Sequence, residues 1–428
     1  MNSKLINELS DLVTNKVITQ DTASRIEQYV LSKQQHKPNK LFTVFGVLGS
    51  LLIGLGVILI LAHNWDNFTR SIKTVFAFLP LVIGQIFVAF SVWKKKSSVW
   101  KESSGTFLFF AIGSSIALVS QIYNIPGNLS TYILTWIVLS LPLIYILKSN
   151  TVALLNMIAI TYYACEVGYS FSSFSESPWL YLVLMTLILP HYYSLLKNHT
   201  NANITSVFNW LFPLSVTIVL GTFVSQLSEL GFLMYLLLFS LYYNMGKLPF
   251  FNEQKLRRNG YLVQGSLGIV IMVLTMSFDD FWYLERFFFN AQETYVSAIL
   301  CAANVGLLIY SYSKGWLKTF NLFQYLFILF SILYVFGLNI PIVGTIVVNL
   351  MVLALGITTI KIGADKFHFG ILNYGLLIIT ALVTCRFFDT NMSFVIRGLL
   401  FVSVGIGFFL TNYILLKKQK SKVESLKH

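Results

Sequence analysis

The chain has 428 residues, of which 56% are hydrophobic, 16% aromatic and only 11% charged, and its formal net charge is +13. This apolar content exceeds what a soluble core of that length can bury, so the excess is expected to face lipid. The basic residues lie between apolar runs rather than on one soluble face, which excludes nucleic-acid binding as the reason for the charge.

The first 40 residues are polar and are predicted to form a short cytoplasmic helical hairpin. Leucines recur at helical spacing before a break near Val17, and Thr19 is the predicted N-cap of a second helix. The hairpin is interpreted as a packing or topogenic element, and a docking module for a protein partner is the alternative. The apolar run that begins near Leu41 is too long for a signal peptide.

Fourteen apolar runs follow, each about as long as the 20 residues that an α-helix needs to cross a bilayer. The predicted spans lie near residues 41–62, 71–92, 104–122, 129–147, 150–171, 177–196, 205–226, 229–245, 259–278, 292–312, 319–337, 341–361, 369–386 and 393–416. The fold class is therefore all-α, a polytopic transmembrane helical bundle. The expected domains are the hairpin over 1–40, the bundle over 41–416 and a basic cytoplasmic tail over 417–428 that contacts anionic lipid headgroups.

The distribution of basic residues tests this topology independently of hydropathy. With both termini in the cytoplasm, 25 of the 30 Lys and Arg residues fall on the inner side. A missing or extra span would move later basic loops to the wrong side. The pattern predicts a multi-pass membrane protein whose N- and C-termini are both cytoplasmic. The basic residues that remain outside are Arg70, Lys73, Arg286, Arg386 and Arg397.

The candidate functional residues are polar side chains at the predicted outer ends of spans or just inside them. They are His63, Asn64, Trp65 and Asp66 after the first span, Gln121, Tyr123 and Asn124 at the third, Glu166 in the fifth, Asp279 and Asp280 in the longest outer loop, and Arg386, Asp389 and Arg397 at the last two. That loop also contains Glu285, Arg286 and Glu293.

Two of these charges, Glu166 and Arg397, are predicted to lie within the hydrocarbon boundary, where a charge normally needs a partner. The pairings to expect are Glu166 with Arg397 or Arg386, or Asp389 with Arg397. Such a pair either fixes the register of two helices, or serves as a proton-coupling or anion-binding group in a cavity that opens outward.

Other polar residues fall in the middle of spans. Gln85, Asn156, Gln264, Asn304, Asn349 and Asn373 are expected to hydrogen-bond between helices or to line a polar path. Pro80, Pro142, Pro190 and Pro213 are possible sites of helix kinks.

No metal, cofactor or catalytic residue is predicted. His191, His199 and His368 fall on or near the side opposite His63, so no histidine cluster is expected. No glycine-rich phosphate loop is present. Cys165, Cys301 and Cys385 lie in apolar runs and are interpreted as buried small apolar residues.

Several local patterns resemble a bacterial family of uncharacterised polytopic membrane proteins, the domain of unknown function DUF2157. They are the Gly-rich first span that ends in GLGVILILAHNWD at residues 54–66, the QIYNIPG run at 121–127, and RFFD at 386–389 followed by Arg397 and Gly398. The N-terminal resemblance covers roughly the first 150 residues. The resemblance implies a location in a bacterial cytoplasmic (inner) membrane and no particular reaction.

The sequence favours a transporter- or flippase-like protein with a site that opens to the outer face. The alternatives are an envelope scaffold or assembly protein that acts through its N-terminal hairpin, and a membrane enzyme that acts on lipid-linked substrates. The expected partners are the lipid bilayer and a small-molecule or lipid-linked substrate, with a possible protein partner at the hairpin and no nucleic acid.

Overall fold

The computed structural model describes residues 9, 11–35, 65–169, 176–224, 228–283, 291–317, 321–337, 340–389 and 394–425. Throughout these ranges the chain forms helices and turns and no strand, which confirms the all-α prediction. The chain divides into two compact units, residues 1–76 and residues 77–428.

The first unit contains helix α1 (Gln20–Gln35), a 3-10 turn at Trp65–Asn67 and the start of helix α2 (Arg70–Trp93). The Thr19 hydroxyl accepts a hydrogen bond from the backbone N–H of Thr22 at 3.3 Å, so Thr19 is the N-cap that its sequence context predicts. Lys16, with φ of 56°, lies in the turn before this helix. The first predicted span, 41–62, lies outside the described residues.

The remaining helices belong to the second unit. The longer ones are α3 (Ser98–Tyr123), α4 (Leu129–Leu147), α5 (Asn150–Gly168), α6 (Leu180–Thr186), α7 (Leu189–Asn198), α8 (Asn203–Leu220), α9 (Ser228–Gly246), α10 (Gly260–Thr275), α11 (Gln292–Ser313), α12 (Leu322–Gly337), α13 (Pro341–Asp365), α14 (Phe369–Asp389) and α15 (Phe394–Ser425). Single helical turns lie at Gly221–Phe223, Pro249–Asn252, Leu256–Arg258 and Asp279–Tyr283.

Helices α2 to α15 correspond to the predicted spans from the second to the fourteenth. Helices α6 and α7 together correspond to the sixth span, 177–196. Among the described residues, nine helical segments are long and apolar enough to cross a membrane, and four shorter helices are also apolar. The membrane location and the bundle architecture are therefore as predicted, whereas the total of fourteen spans stays a prediction.

The segment that contains α6 and α7 is interrupted in its middle, at Leu187 and Ile188, just before Pro190. Proline has no backbone N–H and its ring clashes with the preceding turn, so a break at this place is expected. The Tyr145 hydroxyl donates a hydrogen bond to the Leu187 carbonyl, which satisfies a backbone group at the break. Helices α2, α4 and α8 continue through their internal prolines.

Helix α9 is the central helix of the second unit. It packs against α8, α10, α11 and α12, and nearly all of its described side chains are buried or half-buried. A helix that is apolar on every side is buried on every side. Helix α10 approaches it closely at Gly265, where a Cβ atom would lie 2.4 Å from the backbone nitrogen of Tyr243.

Polar side chains join the helices inside the bundle. Five of the six predicted mid-span residues form such bonds: Asn156 accepts from Ser140, Gln264 donates to the Trp210 carbonyl, Asn304 to the Leu237 carbonyl and Asn349 to the Ser277 carbonyl, and Asn373 accepts from Asn412. The expectation of interhelical hydrogen bonds is confirmed for these five. The sixth, Gln85, lines a largely apolar groove of about 860 Å³ between α2, α3 and α4.

The start of α5 is held by a side chain from α3. The Glu102 carboxylate accepts hydrogen bonds from the backbone N–H groups of Asn150 and Thr151, each at 2.9 Å, and from the Ser149 hydroxyl at 2.5 Å. A carboxylate at a helix N-terminus satisfies unpaired N–H groups and interacts favourably with the helix dipole. Glu102 thus ties the α4–α5 turn to α3.

Contacts between loops group them at two ends of the second unit. Arg258, in the α9–α10 connection, donates to the carbonyls of Asn201 and Ala202 in the α7–α8 connection. Both connections are predicted to be cytoplasmic. Ser177 and Gln292, both predicted to be outer, hydrogen-bond to each other at 2.7–2.9 Å. Hereafter the end with the α9–α10 connection is the basic end, and the end with Gln292 is the opposite end.

Candidate functional site

Two cavities lie side by side at the basic end, where α9, α11 and α13 end and α10, α12 and α14 begin. The larger has a volume of about 450 Å³ and the smaller about 220 Å³. Lys247, Asn252 and Lys366 line both of them. These residues come from the segments that follow α9 and α13, so the tertiary fold brings together parts of the chain more than 100 residues apart. We call the two together the lysine cavities.

Lys247 is the unusual charge in this site. Its side chain is half-buried, and its ammonium group lies 5.4 Å from the centre of the Tyr243 ring. Burial, together with the nearby positive charge of Lys366, lowers the pKa of Lys247 to about 8. The fold therefore keeps two cations close together, which is unfavourable unless something of opposite charge joins them.

The polar side chains in the walls of both cavities can all donate hydrogen bonds, whereas much of the remaining wall of the larger cavity is apolar. Besides the lysines, the smaller cavity is lined by Trp316, Asn321 and Gln324, and the larger by His368. Among the residues that the structure describes, no Asp or Glu lines either cavity. The indole, amide and ammonium groups together form a surface suited to an anion.

The cavity walls have an exposed rim and a buried floor. Asn252, Lys366 and His368 are exposed, whereas Tyr243 and Asn321 are buried. Asn321 donates a hydrogen bond to the Tyr243 hydroxyl at 2.7 Å, so the floor is fixed by a side-chain contact between α9 and the start of α12. A solute can reach this end of the site from the surface of the bundle.

Buried polar side chains continue inward from the smaller cavity. The side-chain amide of Asn244 lies 3.3 Å from the Gln324 carbonyl and 3.5 Å from the Asn304 side chain. Ser240, one helical turn before Asn244, is completely buried, and its hydroxyl has no hydrogen-bond partner in the described part of the chain. The side-chain oxygen of Asn244 is also buried and also has no hydrogen-bond partner among the described residues.

Helix α11 carries a polar stripe on its buried face, formed by Glu293, Ser297, Asn304 and Ser311. Their spacings of 4, 7 and 7 residues place all four within about 40° around the helix axis. All four are buried, and Glu293 and Asn304 are completely so. The stripe extends about 27 Å along the axis, close to the thickness of a hydrocarbon core.

The stripe meets the smaller cavity at Ser311, which lines it. The opposite side of α11 bears Ile299 and Ile309, with exposed fractions of 65% and 63%. Helix α11 therefore presents isoleucine side chains on its exposed side and buried polar groups to the neighbouring helices.

A second polar cluster lies at the opposite end and includes two of the predicted residues. Thr345 donates a hydrogen bond to Asp279 at 3.0 Å. Arg386 donates to the Ser277 hydroxyl at 3.3 Å, and its guanidinium lies 4.9 Å from the centre of the Phe278 ring. The turn after α10 therefore brings Asp279 and Arg386 into one neighbourhood. The sequence predicted both residues at the same side of the membrane but no contact between their segments.

Within the second unit, the other predicted residues whose side chains are described do not join this cluster. Gln121, Tyr123 and Asn124 are exposed at the end of α3, Glu166 is half-buried in α5, and Asp280 is exposed. In the first unit, Trp65 is half-buried and Asp66 exposed.

Several predicted residues cannot be placed in this way. His63, Asn64, Glu285 and Arg286 lie outside the described residues. Asp389 and Arg397 belong to α14 and α15, but their side chains are not described. The proposed pairs that include them stay predictions.

Sequence reasoning missed the lysine cavities. From the sequence, Lys247 and Lys366 were used only to assign loops to the cytoplasmic side, because loop lysines of membrane proteins usually reflect topology. One available signal was the concentration of amide side chains at the same helix ends, at Asn244, Asn252, Asn321 and Gln324.

Comparison with known proteins supports the membrane assignment. The family described as "Predicted membrane protein (DUF2157)" matches residues 10–153, which confirms the predicted resemblance over that part of the chain. No match was found among curated proteins or among solved structures. The lysine cavities and the stripe lie beyond the matched residues.

Proposed function

We propose that the protein is a transporter- or flippase-like protein of the bacterial inner membrane, with both termini in the cytoplasm and the basic end facing the cytoplasm. The translocation path runs through the second unit, between α9 and α11. A solute enters at the lysine cavities and moves along the polar stripe of α11 toward Glu293. This site opens at the basic end, whereas the sequence led us to expect a site open to the outer face.

The observation that carries the proposal is the buried polar stripe that begins at a cavity and spans the apolar bundle. A polar group in a membrane interior is costly unless it has a partner or a role. Ser240, Asn244 and Ser297 each bury a side-chain oxygen that has no hydrogen-bond partner in the described part of the chain. Each such atom costs about 1–3 kcal/mol, and an envelope scaffold would gain nothing from that cost.

The path is closed by side-chain packing along most of α11, so transport requires α9 and α11 to separate transiently. Opening would expose the stripe to water from one end at a time. Exposure of the stripe to water can be measured without knowledge of the transported solute.

Cysteine accessibility provides the test. In full-length protein with Cys165, Cys301 and Cys385 replaced by alanine, single cysteines are introduced on the stripe and on the lipid-facing side of α11. The stripe variants are Ser297→Cys, Asn304→Cys and Ser311→Cys, and the matched controls are Ile299→Cys and Ile309→Cys. Sealed vesicles of either orientation are treated with a charged, membrane-impermeant thiol reagent.

We expect the three stripe cysteines to react, with Ser311→Cys the fastest from the basic side, and the two control cysteines to stay unmodified. The cysteine thiolate is the nucleophile that attacks reagents of this kind, and the thiolate forms in water and not in lipid. Equal rates at stripe and control positions would contradict a path along α11. Faster labelling of the stripe from the outer side of the cell would contradict the proposed orientation.

A further inference from the structure

The lysine cavities combine a charge pattern and a shape that point to a ligand. Most basic residues at this end, such as Lys255 and Lys314, are exposed. Lys247 is instead half-buried beside Lys366, with Asn252 in the walls that the two share. Two converging cations without a described carboxylate among the lining residues form an arrangement that an anion would complete.

We propose that the lysine cavities are one binding site for a phosphate group, held between Lys247 and Lys366. The group belongs either to a soluble phosphorylated solute or to the headgroup of a lipid in the cytoplasmic leaflet. A phosphate accepts several hydrogen bonds at once, which matches the amide donors of Asn252, Asn321 and Gln324 and the indole of Trp316. The lysines supply the opposite charge.

The larger cavity gives room for more than the phosphate itself. Its volume of about 450 Å³ falls in the range of small-molecule sites. Apolar side chains that include Leu262, Leu267 and Ile371 form part of its wall. The site thus fits a phosphate ester whose organic part is partly apolar, with its phosphate toward the lysines.

This inference deepens the proposed function, since it names the substrate class of the same site. It rests on that function only for the fate of the ligand after binding. Binding itself is measured separately from movement along α11.

The test uses the full-length protein in nanodiscs. In the first arm, inorganic phosphate is titrated calorimetrically into protein held in phosphatidylcholine alone. In the second arm, native mass spectrometry measures how much phosphatidic acid stays bound when that lipid is mixed with phosphatidylcholine. The variants are Lys247→Met, Lys366→Met and Lys247→Arg. Lys361→Met is the matched control, because Lys361 is exposed on α13, about one and a half turns from Lys366, and does not line either cavity.

We expect Lys247→Met and Lys366→Met each to weaken binding about tenfold or more, because each removes a charge-assisted contact. Lys247→Arg and Lys361→Met should stay within about threefold of the wild type. Binding in the first arm identifies a soluble phosphate as the ligand, and retention only in the second arm identifies a lipid headgroup.

Two results would overturn the proposal. One is that neither phosphate nor phosphatidic acid distinguishes the wild type from the two methionine variants. The other is that Lys361→Met loses as much binding as Lys247→Met, which would indicate general attraction to a basic surface. If binding fails while the stripe cysteines still react, the substrate class is wrong and the transport path stands. If binding succeeds and the cysteines stay unmodified, the phosphate site stands without transport.

Discussion

Replacing Lys247 by methionine is expected to make the ligand-free protein more stable. Methionine keeps a long, flexible apolar side chain beside Tyr243 and removes the charge that Lys366 repels. The pKa of Lys247 falls from 10.5 to about 8 in the folded chain. That difference corresponds to about 3 kcal/mol of unfavourable free energy for the charged form near neutral pH. Because the side chain is only half-buried, screening by water reduces the expected gain to about 1–2 kcal/mol.

The assay is thermal unfolding of the detergent-solubilised protein near neutral pH in buffer without phosphate. For a chain of this size, the unfolding midpoint of Lys247→Met should rise by about 2 °C. The wild type should also gain stability as the pH rises from about 8 toward 10.5. In this interval the unfolded Lys247 still holds its proton while the folded one has lost it, so the unfolded state binds more protons and stability increases with pH.

The variant should lack the part of this alkaline gain that Lys247 contributes. The other titratable groups that line the cavities are Lys366, His368, Tyr243 and Tyr374, and they are the same in both proteins. Lys361→Met should retain the full gain. The reasoning is refuted if Lys247→Met is less stable than the wild type, or if both proteins gain equally between these pH values.

Two further predictions concern packing and helix capping. Gly265→Ala should destabilise the protein by about 1–3 kcal/mol, because the new methyl group would meet the backbone of Tyr243 at 2.4 Å. Gly306→Ala on α11 is the matched control: its methyl group would meet nothing within 4 Å, so the unfolding midpoint should be unchanged or slightly higher. Equal loss in both variants would contradict the close approach of α9 and α10. Glu102→Gln should cost about 1–2 kcal/mol in the same unfolding assay, because it removes the negative charge at the start of α5 and an oxygen that accepts from Ser149. A midpoint unchanged from the wild type would show that the carboxylate does not hold this helix.

Much of the fold is predictable because a lipid environment leaves few choices. A helix satisfies its own backbone hydrogen bonds, so apolar runs of sufficient length identify the helices directly. Local chemistry then marks particular points, such as the N-cap at Thr19 and the break before Pro190. Isolated amides such as Asn156 and Asn304 were recognisable as interhelical groups because lipid offers them no partner.

The candidate site was less predictable because its parts are distant along the chain. Asp279 and Arg386 were each predicted to lie at the outer side, but only the turn at Ser277 shows that they share a neighbourhood. The spacing of Glu293, Ser297, Asn304 and Ser311 is visible in the sequence. Which face of the helix those residues occupy, buried or toward lipid, depends on where α9 packs.

The sequence by itself determined that this chain is a helical membrane protein, where most of its helices lie, and which loops carry its positive charge. Those properties follow from the cost of placing unpaired backbone and charge in lipid, which acts on each segment separately. The tertiary structure alone decided that Lys247 lies half-buried beside Lys366 at the end of a polar stripe. A cavity is formed by side chains from several helices, and no single segment contains the information about its neighbours.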